Sequence, residues 1–353
     1  LINSDLFIVN YFFISMGIFY IGAAISFIIL VIVNLAWIIV NLVFWASNGL
    51  QALLADQNFF ESLYYSIYLR WIILADIIWI SSVILFAIKR KNYRTDHDGF
   101  YFKKNPFNAK SICLVIPTYN EELAIGKLVS DFFNYKNVKQ IIVVDNDSSD
   151  KTVEIAKKAG ANVIKNKMNM GFAYSCVVGL QESLNHDVEI IGMVEGDGTC
   201  IANDLDKMVP YLEDADMVVG TRALQVLSEK GNQLGMLHNW GNYILAKLIQ
   251  IKFFSLLHIG SVQLTDVGCL YRIIRKDSLA KIISTFTDPK TSNIIPGNEF
   301  TVFMTIGVLK NNLKLIEVPV TFKKRIGKSK IQSQKKLKAI KLGFIFLWYI
   351  LKS

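Results

Sequence analysis

The chain has 353 residues, 52% of them hydrophobic, with a formal net charge of +9 and a mean hydropathy of +0.37. That length holds two or so domains, and the hydropathy argues against a purely soluble chain, so membrane segments have to be placed first. The charge excess is concentrated: Lys323–Lys341 carries nine Lys/Arg and no Asp/Glu. Because this run leads into the apolar stretch Leu342–Leu351, it favours an anionic lipid surface over nucleic acid.

From Leu6 to Ala55 fifty consecutive positions carry no charge. One helix of that length would reach about 75 Å, against a hydrocarbon core of roughly 30 Å. Two spans folded back at the small-residue segment Gly22–Ser26 fit the pattern, as does one long tilted helix followed by an interfacial segment. Asp56 and Glu61 mark a polar return. Trp71–Ile88 is about one membrane thickness long and contains Asp76, which is either functional or paired at depth, or shallow near Arg70. Lys89, Arg90, Lys91 and Arg94 follow, and the positive-inside rule places everything after them in the cytoplasm. Residues 1–94 are therefore expected to form a transmembrane region of two or three helices, in a multi-pass membrane protein whose following domain faces the cytoplasm. Residues 95–110 read as a juxtamembrane linker. No cleavable signal-peptide pattern opens the chain.

From Ser111 short apolar runs alternate with amphipathic stretches. Strands are predicted at 112–117, 140–145, 162–164, 188–197 and 216–220. Helices are predicted over Glu121–Asn134, Asp150–Ala159, Ala173–Leu184 and Leu205–Leu212. This βαβ rhythm predicts a mostly parallel, doubly wound α/β sheet with ligands at the carboxyl ends of its strands. Further on, His238–Ile251 is an amphipathic stretch bearing Trp and Tyr, either lying on a bilayer beside a lipid or packed as an ordinary helix. Leu342–Leu351 is too short to span a membrane.

The predicted strand ends carry polar residues of one kind. The first ends in Pro117-Thr118-Tyr119-Asn120-Glu121, and the second opens Asp145-Asn146-Asp147-Ser148-Ser149-Asp150. The fourth ends in Glu195-Gly196-Asp197 and the fifth in Thr221-Arg222. In an extended chain Glu195 and Asp197 point the same way, and Gly196 and Gly198 keep bulk away from them. Two hard oxygen ligands of this kind suit Mg²⁺ or Mn²⁺ carrying a substrate phosphate; the alternative is an ordinary acidic turn. The four cysteines, Cys113, Cys176, Cys200 and Cys269, have no C-x-x-C spacing and read as buried free thiols of a reducing compartment. The four histidines show no metal-ligand spacing.

The segments VIPTYNEE (115–122), VVDNDSSDKT (143–152), NMGFAYSCVVG (169–179), VEGDGT (194–199), VVGTR (218–222), TDVGCLYR (265–272), NEF (298–300), EVPV (317–320) and FKKRIGKSK (322–330) occur in that order. Together they make the chain resemble the family 2 glycosyltransferases of GT-A fold, specifically the dolichyl- and polyprenyl-phosphate sugar transferases. The resemblance implies a GT-A catalytic domain over 111–330 and a basic amphipathic, membrane-associated tail over 331–353. It implies nucleotide binding by Pro117, Tyr119, Glu121, Asp145 and Asp147, and a divalent metal held by Glu195, Asp197 and Thr199. Glu195 departs from the family pattern, where the first acid is usually Asp. Asp197, Asp266 and Arg222 are the implied catalytic residues, with Asp266 the best candidate base. Arg325, Ser329, Lys330 and Arg272 are the implied grips on an acceptor phosphate; the bland reading of that basic loop is positive-inside charge.

The resemblance thus implies an inverting enzyme that moves a sugar from a nucleotide sugar of GDP-mannose or UDP-glucose type to polyprenyl or dolichyl phosphate at a lipid bilayer. Two alternatives stay open, a hydroxyl acceptor on a glycan or glycolipid and a catalytically silent scaffold. The donor sugar, the base and the oligomeric state are not legible in the sequence.

Overall fold

The computed structural model describes residues 22, 25–39, 43, 67–89, 111–230, 235–254, 262–287, 300–327 and 336–353. The chain divides into two compact units, Leu1–Asn92 with Leu351–Ser353, and Tyr93–Ile350.

In the first unit residues 25–39 are helical, as is Ile67–Lys89 (α1). Where a bend was expected, Ser26 sits in the helix and donates its hydroxyl to the Gly22 carbonyl at 2.8 Å. Among the described residues no helix is long and apolar enough to cross a membrane. The expected N-terminal transmembrane helices, the multi-pass localisation and the orientation derived from them are corrected accordingly. The linker over 95–110 lies outside the described residues.

The second unit is built on one seven-stranded sheet of order β3-β2-β1-β4-β6-β5-β7. Its strands are β1 (Ile112–Thr118), β2 (Val138–Asp145), β3 (Asn162–Lys165), β4 (Ile190–Met193), β5 (Met217–Thr221), β6 (Arg272–Arg275) and β7 (Leu315–Pro319). Strand β1 is buried along its whole length, and such strands read as continuous apolar runs because helices cover both faces. On one face α2 (Ile125–Phe133) inserts Ile125, Leu128, Val129 and Phe132, a helical stripe at i, i+3, i+4 and i+7. Beside it runs α3 (Thr152–Lys158). On the other face α4 (Phe172–Ser183) inserts Ala173, Cys176, Val177 and Leu180.

Three departures from the predicted elements have local causes. The expected helix over Leu205–Leu212 splits into a 3-10 turn, the short α5 (Leu205–Met208) and a second 3-10 turn from Val209 to Glu213. Pro210 lies at that junction and has no N–H to continue the α-helical ladder. The expected fourth strand ends at Met193, before the acidic pair. Strand β6 runs antiparallel to both β4 and β5 and separates them, so the sheet is mostly and not wholly parallel.

Helix α6 (Met236–Lys252) buries Leu245, Ala246 and Ile249 in a third cluster with Phe346 and Ile350. After β6 come α7 (Lys276–Ile282), α8 (Phe300–Lys310) and finally α9 (Lys336–Lys352). All four cysteines are buried free thiols, as expected. Burial raises the pKa of Cys113 and Cys269 to about 12. Because β1, β2, β4 and β5 share one direction, their carboxyl ends fall on one edge, and that edge carries the polar clusters.

Candidate functional site

The acidic pair converges through a turn that follows β4 and not through strand alternation. Residues 196–198 form a turn, and Gly198 takes φ +78°, a conformation that side chains rarely adopt. This turn carries Thr199 back onto the carboxylates. Its hydroxyl lies 2.6 Å from Asp197 Oδ1 and 3.3 Å from Glu195 Oε2, and its N–H donates to Asp197 Oδ1 at 3.1 Å. Gly196 lies against the end of β1: a Cβ there would come 2.7 Å from Thr118 Cγ2. A Cβ on Gly198 would come 2.9 Å from Ile326 Cδ1, so both glycines serve close packing of the turn, where the sequence suggested only room beside the carboxylates.

Two guanidinium groups face this pair. Arg325 donates to Asp197 Oδ2 at 2.8 Å through Nη1, and through Nη2 it pairs with Glu121. Arg222 Nη1 stands 3.8 Å from Glu195 Oε1. Burial, and then the charge of Asp197, push the Glu195 carboxyl up to about 7, while Arg222, Arg325 and Thr199 pull against them.

Arg222 is itself locked. Its Nε and Nη2 donate to Asp266 Oδ2 and Oδ1 at 2.6 and 2.9 Å, a bidentate pair, and its guanidinium stacks 5.2 Å from the Phe322 ring centre. Gly268 N–H adds a bond of 3.0 Å to Asp266. Burial raises the pKa of Asp266, but the charge and hydrogen bonds of Arg222 overcome it and leave the net value lowered. Both oxygens are engaged and the group is a weak proton acceptor, which runs against the expected role as a base. Beside this pair opens a cavity of about 420 Å³, lined among others by Asn239, Trp240, Asn242, Tyr243 and Thr265. Trp240 and Tyr243 expose their rings on the side of α6 away from its buried stripe.

The ends of β1 and β2 are knitted into one loop cluster. The two strands pair Pro117 with Val144 and Thr118 with Asp145. Glu121 N–H donates to Thr152 Oγ1 at 2.8 Å, and Asn120 Oδ1 accepts the Ser149 N–H at 2.8 Å. Asn120 and Asp147 hold φ of 55° and 66°, a region that Asn and Asp tolerate better than most side chains. Asp145 accepts the Ser148 N–H on Oδ2 at 3.0 Å, while its buried Oδ1 has no hydrogen-bond partner. An unpaired buried carboxylate oxygen at this edge is a ready acceptor for ligand hydroxyl or N–H groups. Tyr119 is half-buried on the same loop.

Most sequence-predicted residues thus meet on one edge: Pro117, Tyr119, Glu121 and Asp145 at one end, Glu195, Asp197, Thr199, Arg222, Asp266 and Arg325 at the other. Arg272 does not join them and is corrected. It is fully buried and donates to the carbonyls of Cys269, Thr301 and Val267 and to Thr305 Oγ1, so its guanidinium is spent inside the fold. Asp147 turns outward and pairs with Lys165 at 3.8 Å. Ser329 and Lys330 lie outside the described residues. Two residues to which the sequence assigned no role are Asn146 and Glu317. Asn146 Oδ1 accepts from Asn166 and from Met170 N–H, tying the second strand end to the loop before α4. Glu317 accepts hydrogen bonds from Thr265 and Asp266. In the sequence Glu317 opens the EVPV segment of the family resemblance, as a lone acid among apolar residues.

Among the described residues no group of three or more His, Cys, Asp and Glu could hold a metal. Glu195 and Asp197 still fit a divalent cation that brings its remaining ligands as phosphate and water. The fit is electrostatic: Glu195 is driven toward its neutral form partly by the charge of Asp197, an excess that a cation relieves. Such a cation would share Asp197 with the guanidinium of Arg325.

Residues 113–283 match the model of the family described as glycosyl transferase family 2. Over 218 residues, 61% of this chain and 83% of the relative, the sequence is 31% identical to an uncharacterized protein of Methanocaldococcus jannaschii. It is 25% identical over 228 residues to the polyprenol monophosphomannose synthase of Mycolicibacterium smegmatis, covering 62% of this chain and 80% of that one. A dolichyl-phosphate hexose transferase of Haloferax volcanii is 25% identical over 222 residues, covering 62% and 86%.

Proposed function

Because the chain belongs to glycosyl transferase family 2, and is a glycosyltransferase, we propose that it moves a sugar from a nucleoside-diphosphate sugar to polyprenyl or dolichyl phosphate. The donor is of GDP-mannose or UDP-glucose type, and the anomeric centre inverts. An oxygen of the acceptor phosphate forms the bond to the anomeric carbon, and the bond to the diphosphate breaks, releasing the nucleoside diphosphate. The acceptor is already an anion, so no proton has to be removed.

One observation carries this reading: the residue best placed in sequence to act as a base, Asp266, has both oxygens bound by Arg222 and a lowered pKa. A hydroxyl acceptor would need a base other than Asp266; an anionic acceptor needs positive charge instead, and Arg222 and Arg325 supply it. In this reading Pro117, Tyr119, Glu121 and Asp145 hold the base and ribose. Arg222 offsets the leaving diphosphate, and Arg325, with Ser329 and Lys330 further along the sequence, grips the acceptor phosphate. Mg²⁺ or Mn²⁺ on Glu195 and Asp197 would neutralise charge on the diphosphate. The names of the two prenyl-phosphate relatives support the acceptor class.

A second reading rests on Glu195, whose pKa of about 7 is that of a workable general base. If Glu195 took a proton, the acceptor would be a sugar hydroxyl. The two readings separate when the purified chain is given a panel of labelled nucleotide sugars with either polyprenyl phosphate or glycan acceptors, and products are identified by mass spectrometry. A glycosyl phosphoryl polyprenol is the expected product. Transfer to a hydroxyl, with none to polyprenyl phosphate, overturns the first reading.

A further inference from the structure

Strand β7 carries one acid, Glu317, in the run Leu315–Pro319, and burial raises its pKa while hydrogen bonds from Thr265 and Asp266 lower it. A carboxylate inside an apolar strand is costly unless its oxygens are satisfied. Those of Glu317 are satisfied by a single turn. Oε1 accepts the N–H groups of Thr265 and Asp266, both at 2.9 Å. Oε2 accepts the Thr265 N–H and hydroxyl, both at 2.8 Å. The same Thr265 hydroxyl lies 2.7 Å from that of Thr221, the residue before Arg222. The turn held in this way presents Asp266, which binds Arg222 through Nε, Nη2 and the backbone N–H. Arg222 in turn faces Glu195. Glu317 therefore stands at the far end of an unbroken chain of contacts that ends at the acidic pair.

We propose that Glu317 is a positioning residue of the transfer site: by holding the Thr265–Asp266 turn it sets where Asp266 places the guanidinium of Arg222 beside Glu195. It touches neither acid of the pair and acts only through the turn. The amide of Gln keeps the size of the side chain but offers one acceptor oxygen in place of two, and its NH₂ then faces a backbone donor. The Thr265–Asp266 turn relaxes and Arg222 shifts with it. A displacement of about 1 Å at such a group costs on the order of 10²-fold in turnover.

The inference rests on the chain being a glycosyltransferase and is independent of which acceptor it uses. Its test compares Glu317→Gln and Glu317→Asp in the full chain, each also in an Arg222→Gln background, using the donor and acceptor that the parent turns over. Glu317→Gln is expected to lower kcat roughly 10- to 100-fold with donor KM within about twofold. Glu317→Asp, which keeps both acceptor oxygens, recovers part of the loss. In the Arg222→Gln background Glu317→Gln adds less than about a twofold further loss, because the group it positions is gone. An equal loss in both backgrounds overturns the proposal, as does unchanged kcat or failure of both Glu317 variants to fold, which would make Glu317 a scaffold residue. A second readout needs no substrate. The Arg222 Nε–H signal in ¹⁵N spectra, assigned by its absence in Arg222→Gln, should move toward that of a solvent-exposed arginine in Glu317→Gln. An unmoved signal overturns the proposal even if no donor in the panel is turned over.

Discussion

Replacing Glu195 by Gln removes a carboxylate that the fold holds against its preference. Its pKa rises from 4.5 to about 7, chiefly by burial and then by the neighbouring charge of Asp197. Below pH 4.5 the group is protonated in both the folded and unfolded chain and has no effect on stability. As the pH rises from there toward 7, the unfolded chain gives up the proton first, and the folded state is increasingly disfavoured. Above about 7 the penalty is complete. A pKa difference of about 2.5, at about 1.4 kcal/mol for each pKa unit, amounts to about 3 kcal/mol. In chelator at pH 8, Glu195→Gln should therefore be more stable than its parent by that amount, a rise in Tm of roughly 6–12 °C for a unit of this size. At pH 4.5 the two should melt together. Thermal unfolding at pH 4.5, 6 and 8 reads the trend directly. Added Mn²⁺ should reverse the order, since it stabilises only the chain that binds it. A Glu195→Gln chain no more stable than its parent at pH 8, or a gap of the same size at pH 4.5, would refute the reasoning.

Two further substitutions probe the charges around this pair. Arg325→Ala leaves buried Asp197 and Glu121 without their shared guanidinium and should cost about 3–5 kcal/mol in chelator, measured by denaturant unfolding. Mn²⁺ should recover more stability in this variant than in the parent, and the acceptor KM should rise more than the donor KM. Asp266→Asn should lower stability and turnover together, because it strips a buried guanidinium of its bidentate partner. Its pH–rate profile should keep the limbs of the parent; a lost limb would restore Asp266 as a base.

The rhythm of apolar runs between Ser111 and Gly220 was enough to order β1 to β5 and their helices, since strands covered on both faces must be apolar throughout and their helices must show a stripe. The polar residues at those strand ends were equally legible, because a parallel sheet presents all its carboxyl ends on one edge. Strand β6 and helix α8 were not. Arg272–Arg275 is four residues opened and closed by Arg, and Phe300–Lys310 is buried nearly all round, so neither displays a period. Only the tertiary structure could separate arginines of similar sequence context. Arg272 lies inside the fold, where carbonyl oxygens surround it, whereas Arg222 and Arg325 reach the carboxylates at the edge. The same holds for Asp266, which the family resemblance offered as a base until a guanidinium from another strand end was found on both its oxygens. The apolar N-terminal composition, read alone, pointed to membrane spans, which no described helix supports. Composition and periodicity report how each segment meets solvent or core, a local property. Which charge faces which depends on contacts such as Asp197 with Arg325, 128 positions apart, and these exist only once the sheet has brought its loops together.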